Sequence, residues 1–174
     1  DANGNLHVRT TDTFAIDKGG SVVLGGVSGG ATPLTWYAGI AGRKENSTEN
    51  NERGYLQFST NGVGGPERMR IDSNGNVGIG TTGPTKKLEL SGSSAAWSTI
   101  SAIQLSDTAG NVNSRNWVLV NGLSAFGSLD LKVGASAGSD PASGGSVAMT
   151  ILNNGNVGIG TTGPLARFVV VGSN

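Results

Sequence analysis

Cysteine is absent from the 174 residues, which excludes a disulfide framework and a thiolate metal site. Charge of one sign is also missing: Lys plus Arg equals Asp plus Glu at twelve each, so no basic field favours nucleic acid or an anionic membrane surface. No apolar run approaches the ~20 residues of a spanning helix, and membrane insertion is not expected. No initiator Met and no signal-peptide pattern is visible, so the chain reads as an excised or processed part of something longer. Helical periodicity is lacking, and Ser93–Trp97 is the only stretch suited to a helical turn. The single histidine, His7, has no metal partner and is expected on a strand surface.

What the chain has in excess is glycine, thirty residues, more than twice the ~7 % of average usage. Aromatics are only 5 %. Such a composition gives a thin core, whose burial at ~25 cal/mol per Å² is set against a large chain entropy. Association of several copies is the expected remedy.

The sequence Asn74-Gly-Asn-Val-Gly-Ile-Gly-Thr-Thr-Gly-Pro84 returns letter for letter as Asn154–Pro164, which makes an internal repeat certain. Asn74-Gly75 and Asn154-Gly155 between alternating runs predict a type I′ hairpin, with positive φ at both central residues. Before the turn, Met69 and Ile71 share a strand face, as do Met149 and Ile151 in the second copy. After it, Val77 and Ile79 (Val157 and Ile159) share a face, with Gly78 and Gly80 (Gly158 and Gly160) opposite. Glycine there implies a backbone too close for a Cβ, from a second strand of the same chain or from an identical chain around a symmetry axis. Pro84 and Pro164 stop the pairing, and a further run, Leu88 and Leu90 or Phe168 and Val170, follows. Gly78–Gly83 also spells G-x-G-x-x-G, but no helix follows to present its N-terminus to a pyrophosphate, so backbone packing outweighs nucleotide binding.

Other segments recur near the same period. Ser21–Leu24 maps onto Ala102–Leu105 and Trp36 onto Trp117 at an offset of 81, while Gly54–Phe58 maps onto Gly127–Leu131. Residues 34–42 and 117–123 read as strands. The predicted fold is all-β: two tandem ~80-residue repeats of short antiparallel strands and hairpins. Residues 1–12 form the end of a preceding repeat, with Asn5–Arg9 as its last strand; 13–92 and 93–174 are the two units, each closing with the motif.

The run Ile71-Asp-x-Asn-Gly-Asn-Val-Gly-Ile-Gly-Thr-Thr-x-Pro84, followed by Lys87-Leu-Glu-Leu90, closely resembles a signature of bacteriophage tail-fibre and tailspike proteins. Similar segments occur in large secreted bacterial surface proteins, and Ile151–Val170 matches somewhat less well. The resemblance implies an extended, intertwined homotrimer of β-prism or β-sandwich type, located in a virion tail fibre or otherwise extracellular and supporting host attachment. Recurrence at a fixed 80-residue spacing favours a shaft segment, a stiff spacer, over a receptor-binding tip. The alternative is a bacterial surface filament or adhesin, contacting host glycan or a partner protein through loops 43–53 and 134–145.

Neither catalysis nor a cofactor is expected. Of the candidate carboxylates Glu45, Glu49, Glu52, Asp72, Asp130 and Asp140, the three Glu sit in one Asn-rich loop that reads as solvated, and Asp72 is Leu152 in the second copy. Asp72–Asn76 faintly resembles a calcium loop but lacks the distal bidentate Glu. Asn46-Ser-Thr48 fits the glycosylation acceptor pattern. Trp36 and Trp117, which recur, are expected in the core. Trp97 has no counterpart and is the candidate exposed or surface-binding aromatic.

Overall fold

The structure, a computed structural model, describes residues 6–11, 15–27, 35–61, 66–92, 101–107, 113–125 and 127–172. Two units divide the chain, Asp1–Ser91 and Gly92–Asn174, each built on one six-stranded sheet whose strands follow in chain order. The first holds β1 (Ser21–Gly26), β2 (Thr35–Lys44), β3 (Gly54–Thr60), β4 (Glu67–Ile71), β5 (Val77–Ile79) and β6 (Leu88–Leu90). The second holds β7 (Ala102–Leu105), β8 (Trp117–Asn121), β9 (Leu129–Val133), the one-turn helix α1 (Pro141–Gly144), β10 (Ser146–Ile151), β11 (Val157–Ile159) and β12 (Phe168–Val170). The chain is all-β, as its alternating apolar pattern requires.

Register fixes which residues share a face. In the first sheet the row Val22, Ile40, Phe58, Met69, Ile79, Leu90 crosses all six strands, beside a second row of Leu56, Ile71, Val77 and Leu88. In the second, Ile103, Leu119, Leu131, Met149, Ile159 and Val170 form the same row, beside Leu129, Ile151, Val157 and Phe168. Met69 and Met149 thus hold equivalent places. Each sheet has one continuous apolar face, and that face is open to solvent. Val22, Leu24, Ile40, Leu56, Ile79 and Leu88 are 37–58 % exposed; Ile103, Leu105, Trp117, Leu119, Leu129, Phe168 and Val170 are 38–69 % exposed.

Burial lies on the other side, under the loops. There the first unit buries Ala41 and Tyr55, with the Arg70 guanidinium 3.7 Å above the Tyr55 ring and held in a two-point pair with Glu67. The second unit buries Val118, Val120, Asp130 and Thr150; segment 134–145, whose Pro141 and Ala142 are themselves buried, packs on β8 and β9, and Ser124 and Ser128 close over Asp130. Asp140 starts that turn by accepting a hydrogen bond from the Ala142 N–H, with Pro141 at the first helical position.

Several expectations are corrected. Pairing is antiparallel except for the last strand of each unit, where β5–β6 and β11–β12 are parallel. Residues 80–87 make that crossover without a helix, in less than the dozen or so residues such a connection ordinarily takes. Segment 6–11 forms no strand; His7 is exposed on irregular chain and Leu6 is 85 % exposed. Neither Trp36 nor Trp117 is in the buried core, and they are not equivalent. Trp117 pairs with Leu105, the place that Ala38 holds opposite Leu24, because the link between the first two strands is two residues longer in the first unit. The helical turn expected at Ser93–Trp97, and Trp97 as a surface site, lie outside the described residues.

Candidate functional site

The repeated motif folds as one self-contained unit, and nearly every residue in it has a local task. The turn is not type I′: Gly75 (φ 74°) and Gly155 (φ 81°) take positive φ, while Asn74 and Asn154 do not. The Gly75 N–H donates to the Asp72 carbonyl and the Asp72 N–H to the Asn76 carbonyl, which is a type I turn followed by a left-handed residue that forms a bulge. Leu152, Gly155 and Asn156 repeat it. The sequence signal was right about the hairpin and wrong about its type, because the chain spends one more residue than a two-residue turn needs.

Asn76 then ties turn to crossover: its Nδ2 donates to the Pro84 carbonyl at 3.3 Å, and Asn156 does the same to Pro164 at 3.1 Å. The Thr81 hydroxyl accepts from the Gly83 N–H, as Thr161 does from Gly163. Pro84 and Pro164 are buried by this folding-back. They lie against Gly78 and Gly158, where an added Cβ would stand 3.3 Å from the proline ring and under 3 Å from the threonine carbonyl. Gly80 and Gly160 adopt positive φ (75° and 70°), and an added Cβ there would collide with the Ser91 or Val171 carbonyl. The neighbour that excludes a side chain is therefore the chain's own loop and strand end. Val77, Ile79, Val157 and Ile159 point to the open apolar face. Asn76 and Thr81 were not singled out in the sequence, since their role depends on a crossover no local pattern announces. Nothing in the structure explains why the exposed Thr82 and Gly83 recur.

With Gly78 filled by its own loop and a strand following, the G-x-G-x-x-G run offers no anion cradle. The calcium-like residues are equally committed. Asp72 accepts from the backbone N–H of Asn76 and Asn74, and these bonds hold its carboxyl below the ordinary range. Three further candidate carboxylates, Glu45, Asp130 and Asp140, serve the fold. Glu45 accepts from the Ser73 N–H and hydroxyl. Asp130 is fully buried and accepts from the Ser124 N–H and the Ser128 and Thr150 hydroxyls. Asp140 caps α1.

Loop 43–53 is pinned to the motif hairpin. Lys44 Nζ donates to the Asn51 carbonyl, Arg53 Nη2 donates to Asn74 Oδ1 at 2.7 Å, and Glu45 holds Ser73. It borders a hollow of ≈520 Å³ whose charged lining is Lys18, Arg43, Lys44 and Arg53 with one carboxylate, Glu52. Loop 134–145 lies down on its own sheet, where Lys132 donates to the Ala142 carbonyl at 3.0 Å and burial lowers the Lys132 pKa. In the first unit the buried titrating group on this side of the sheet is Tyr55. Burial, then donation of its hydroxyl to Asp17, push its pKa up to about 12. No family model matches the chain, and no curated protein matches it.

Proposed function

We propose that the chain is a structural segment of an extracellular fibre, of the kind its signature resembles in bacteriophage tail-fibre shafts, in which three copies close their apolar sheet faces on one another. The observation that carries this reading is the pair of unbroken apolar faces, open on both sheets, while the buried side chains of each unit lie on the opposite side. Monomeric soluble proteins rarely leave contiguous apolar patches of more than a few hundred Å² uncovered, and larger ones mark association surfaces. The motif supports the same reading: a hairpin and crossover that satisfies itself internally gives each unit the same edge. The product is a stiff spacer that supports attachment to a host.

Replacing Leu119 and Leu129 by Asp places two charges in one apolar face while leaving the loop-covered side intact. The expected outcome is loss of assembly, read by light scattering, with the β-sheet circular dichroism retained. Unchanged assembly would contradict the proposed interface. The adhesin reading is favoured by the cationic hollow beside loop 43–53. Glycan-array binding that disappears when residues 46–50 are replaced by Gly-Ser would support it.

A further inference from the structure

An extra residue, Tyr37, stands in β2 between the Leu24–Ala38 and Gly25–Trp36 pairs. Strict alternation from Ile40 and Ala38 would send Trp36 to the apolar face; the bulge re-aims it to the opposite side, as such insertions do. There the half-buried Trp36 lines a hollow of ≈290 Å³ together with Ser21, Gly39, Arg43, Gln57 and Ser59. Register places these five on one face, away from the apolar rows. Gly39 makes the hollow: lacking a side chain between Val23 and Ser59, it leaves a depression beside the indole.

We propose that this hollow binds a pyranose ring of a polysaccharide. A sugar ring presents a C–H face that packs on an aromatic surface and hydroxyls that both donate and accept. The hollow supplies both. Gln57 Nε2 donates to Ser59 Oγ at 3.1 Å, which leaves the Gln57 carbonyl oxygen to accept and the Ser59 hydroxyl hydrogen to donate. The Trp36 indole N–H and the Ser21 hydroxyl make no hydrogen bond among the described residues. Arg43 gives one N–H to the Gly19 carbonyl at 3.2 Å, so its remaining donors are placed to pair with a carboxylate on an acidic sugar. The volume sits near the lower end of the roughly 300–1,000 Å³ typical of small-molecule clefts, enough for one ring rather than a chain.

The second unit shows what closes such a hollow. Val118 stands where Gly39 stands and is 1 % exposed, and Lys132, in the place of Ser59, reaches up to segment 134–145 that covers it. The site therefore belongs to the first unit alone. It goes beyond the spacer reading, since it requires only the fold of that unit. It also offers a clean variant: a Cβ added at Gly39 meets only the Val22 carbonyl oxygen, at an ordinary 3.5 Å, so Gly39→Val fills the hollow as its counterpart does without strain on the backbone.

The test is saturation-transfer NMR on the full chain with methyl glycosides of glucose, galactose, N-acetylglucosamine and glucuronic acid. The expected result is transfer to at least one of them, reduced at least tenfold in both Trp36→Ala and Gly39→Val. Circular dichroism and sedimentation identical to the parent serve as the folding control. Arg43→Ala is expected to weaken the glucuronide and leave the neutral glycosides unaffected; equal weakening of both would overturn the role given to Arg43. No transfer to any glycoside, or transfer that survives both Trp36→Ala and Gly39→Val, overturns the proposal.

Discussion

Gly78 and Gly158 are glycine because Pro84 and Pro164 lie on top of them. A larger side chain has to displace a buried ring and a threonine carbonyl, the overpacking that costs about 1–3 kcal/mol. Gly78→Val is therefore expected to lower the unfolding free energy of the first unit by that amount, read as a lower urea midpoint, before any question of assembly arises; an unchanged midpoint would mean that the loop does not hold against the strand. Gly80→Val adds the cost of a branched residue at positive φ, about 1–2 kcal/mol. Asp72 carries a pH signature. Its carboxyl is held below its ordinary value by backbone donors, so its contribution to stability is present above pH ~4 and is lost as pH falls through the lowered folded value. Asp72→Leu, the residue the second unit carries as Leu152, should flatten the acid limb of stability against pH. Identical acid limbs in parent and variant would remove the carboxylate from the account.

Strands were legible because period-two alternation decides a face whether or not that face is covered. The rows through Met69, Ile79 and Leu90, and through Met149, Ile159 and Val170, follow directly from it. What alternation cannot express is a change of direction or of phase. The parallel return of β6 and β12 depends on Asn76 and Asn156 reaching the proline carbonyls, a contact between side chain and distant backbone. The bulge at Tyr37 reverses the aim of Trp36, and the longer first link takes it out of register with Trp117, which lies on the open apolar face, so matching tryptophans by offset put both in a core that contains neither. Asp130 is only a candidate carboxylate in the sequence, yet the Ser124 N–H and the Ser128 and Thr150 hydroxyls satisfy it in full burial, on the face that segment 134–145 covers at Lys132. The coverage is uneven, and the chain's local stability should follow it. Strands β8 and β9, under that segment, are expected to show the slowest amide exchange, and β7 at the sheet edge the fastest. Exchange at one uniform rate across β7 to β9, measured by mass spectrometry, would contradict that ordering.

Taken as a chain, the protein buries its polar-rich side and exposes its apolar one, the reverse of a monomeric half-buried sheet. Side chains such as Val118 and Tyr55 pack beneath loops, while the rows headed by Val22 and Ile103 are open. A thin core spread over two single sheets is the arrangement that glycine content and scarce aromatics predicted, and association of copies through the apolar faces is the step that completes it in the proposed fibre. That step is the central claim, and sedimentation equilibrium in native buffer tests it most directly. The expected result is a single species of three times the 17.5 kDa chain mass, holding across the concentration range. A stable, soluble monomer of 17.5 kDa with intact sheet structure would contradict it.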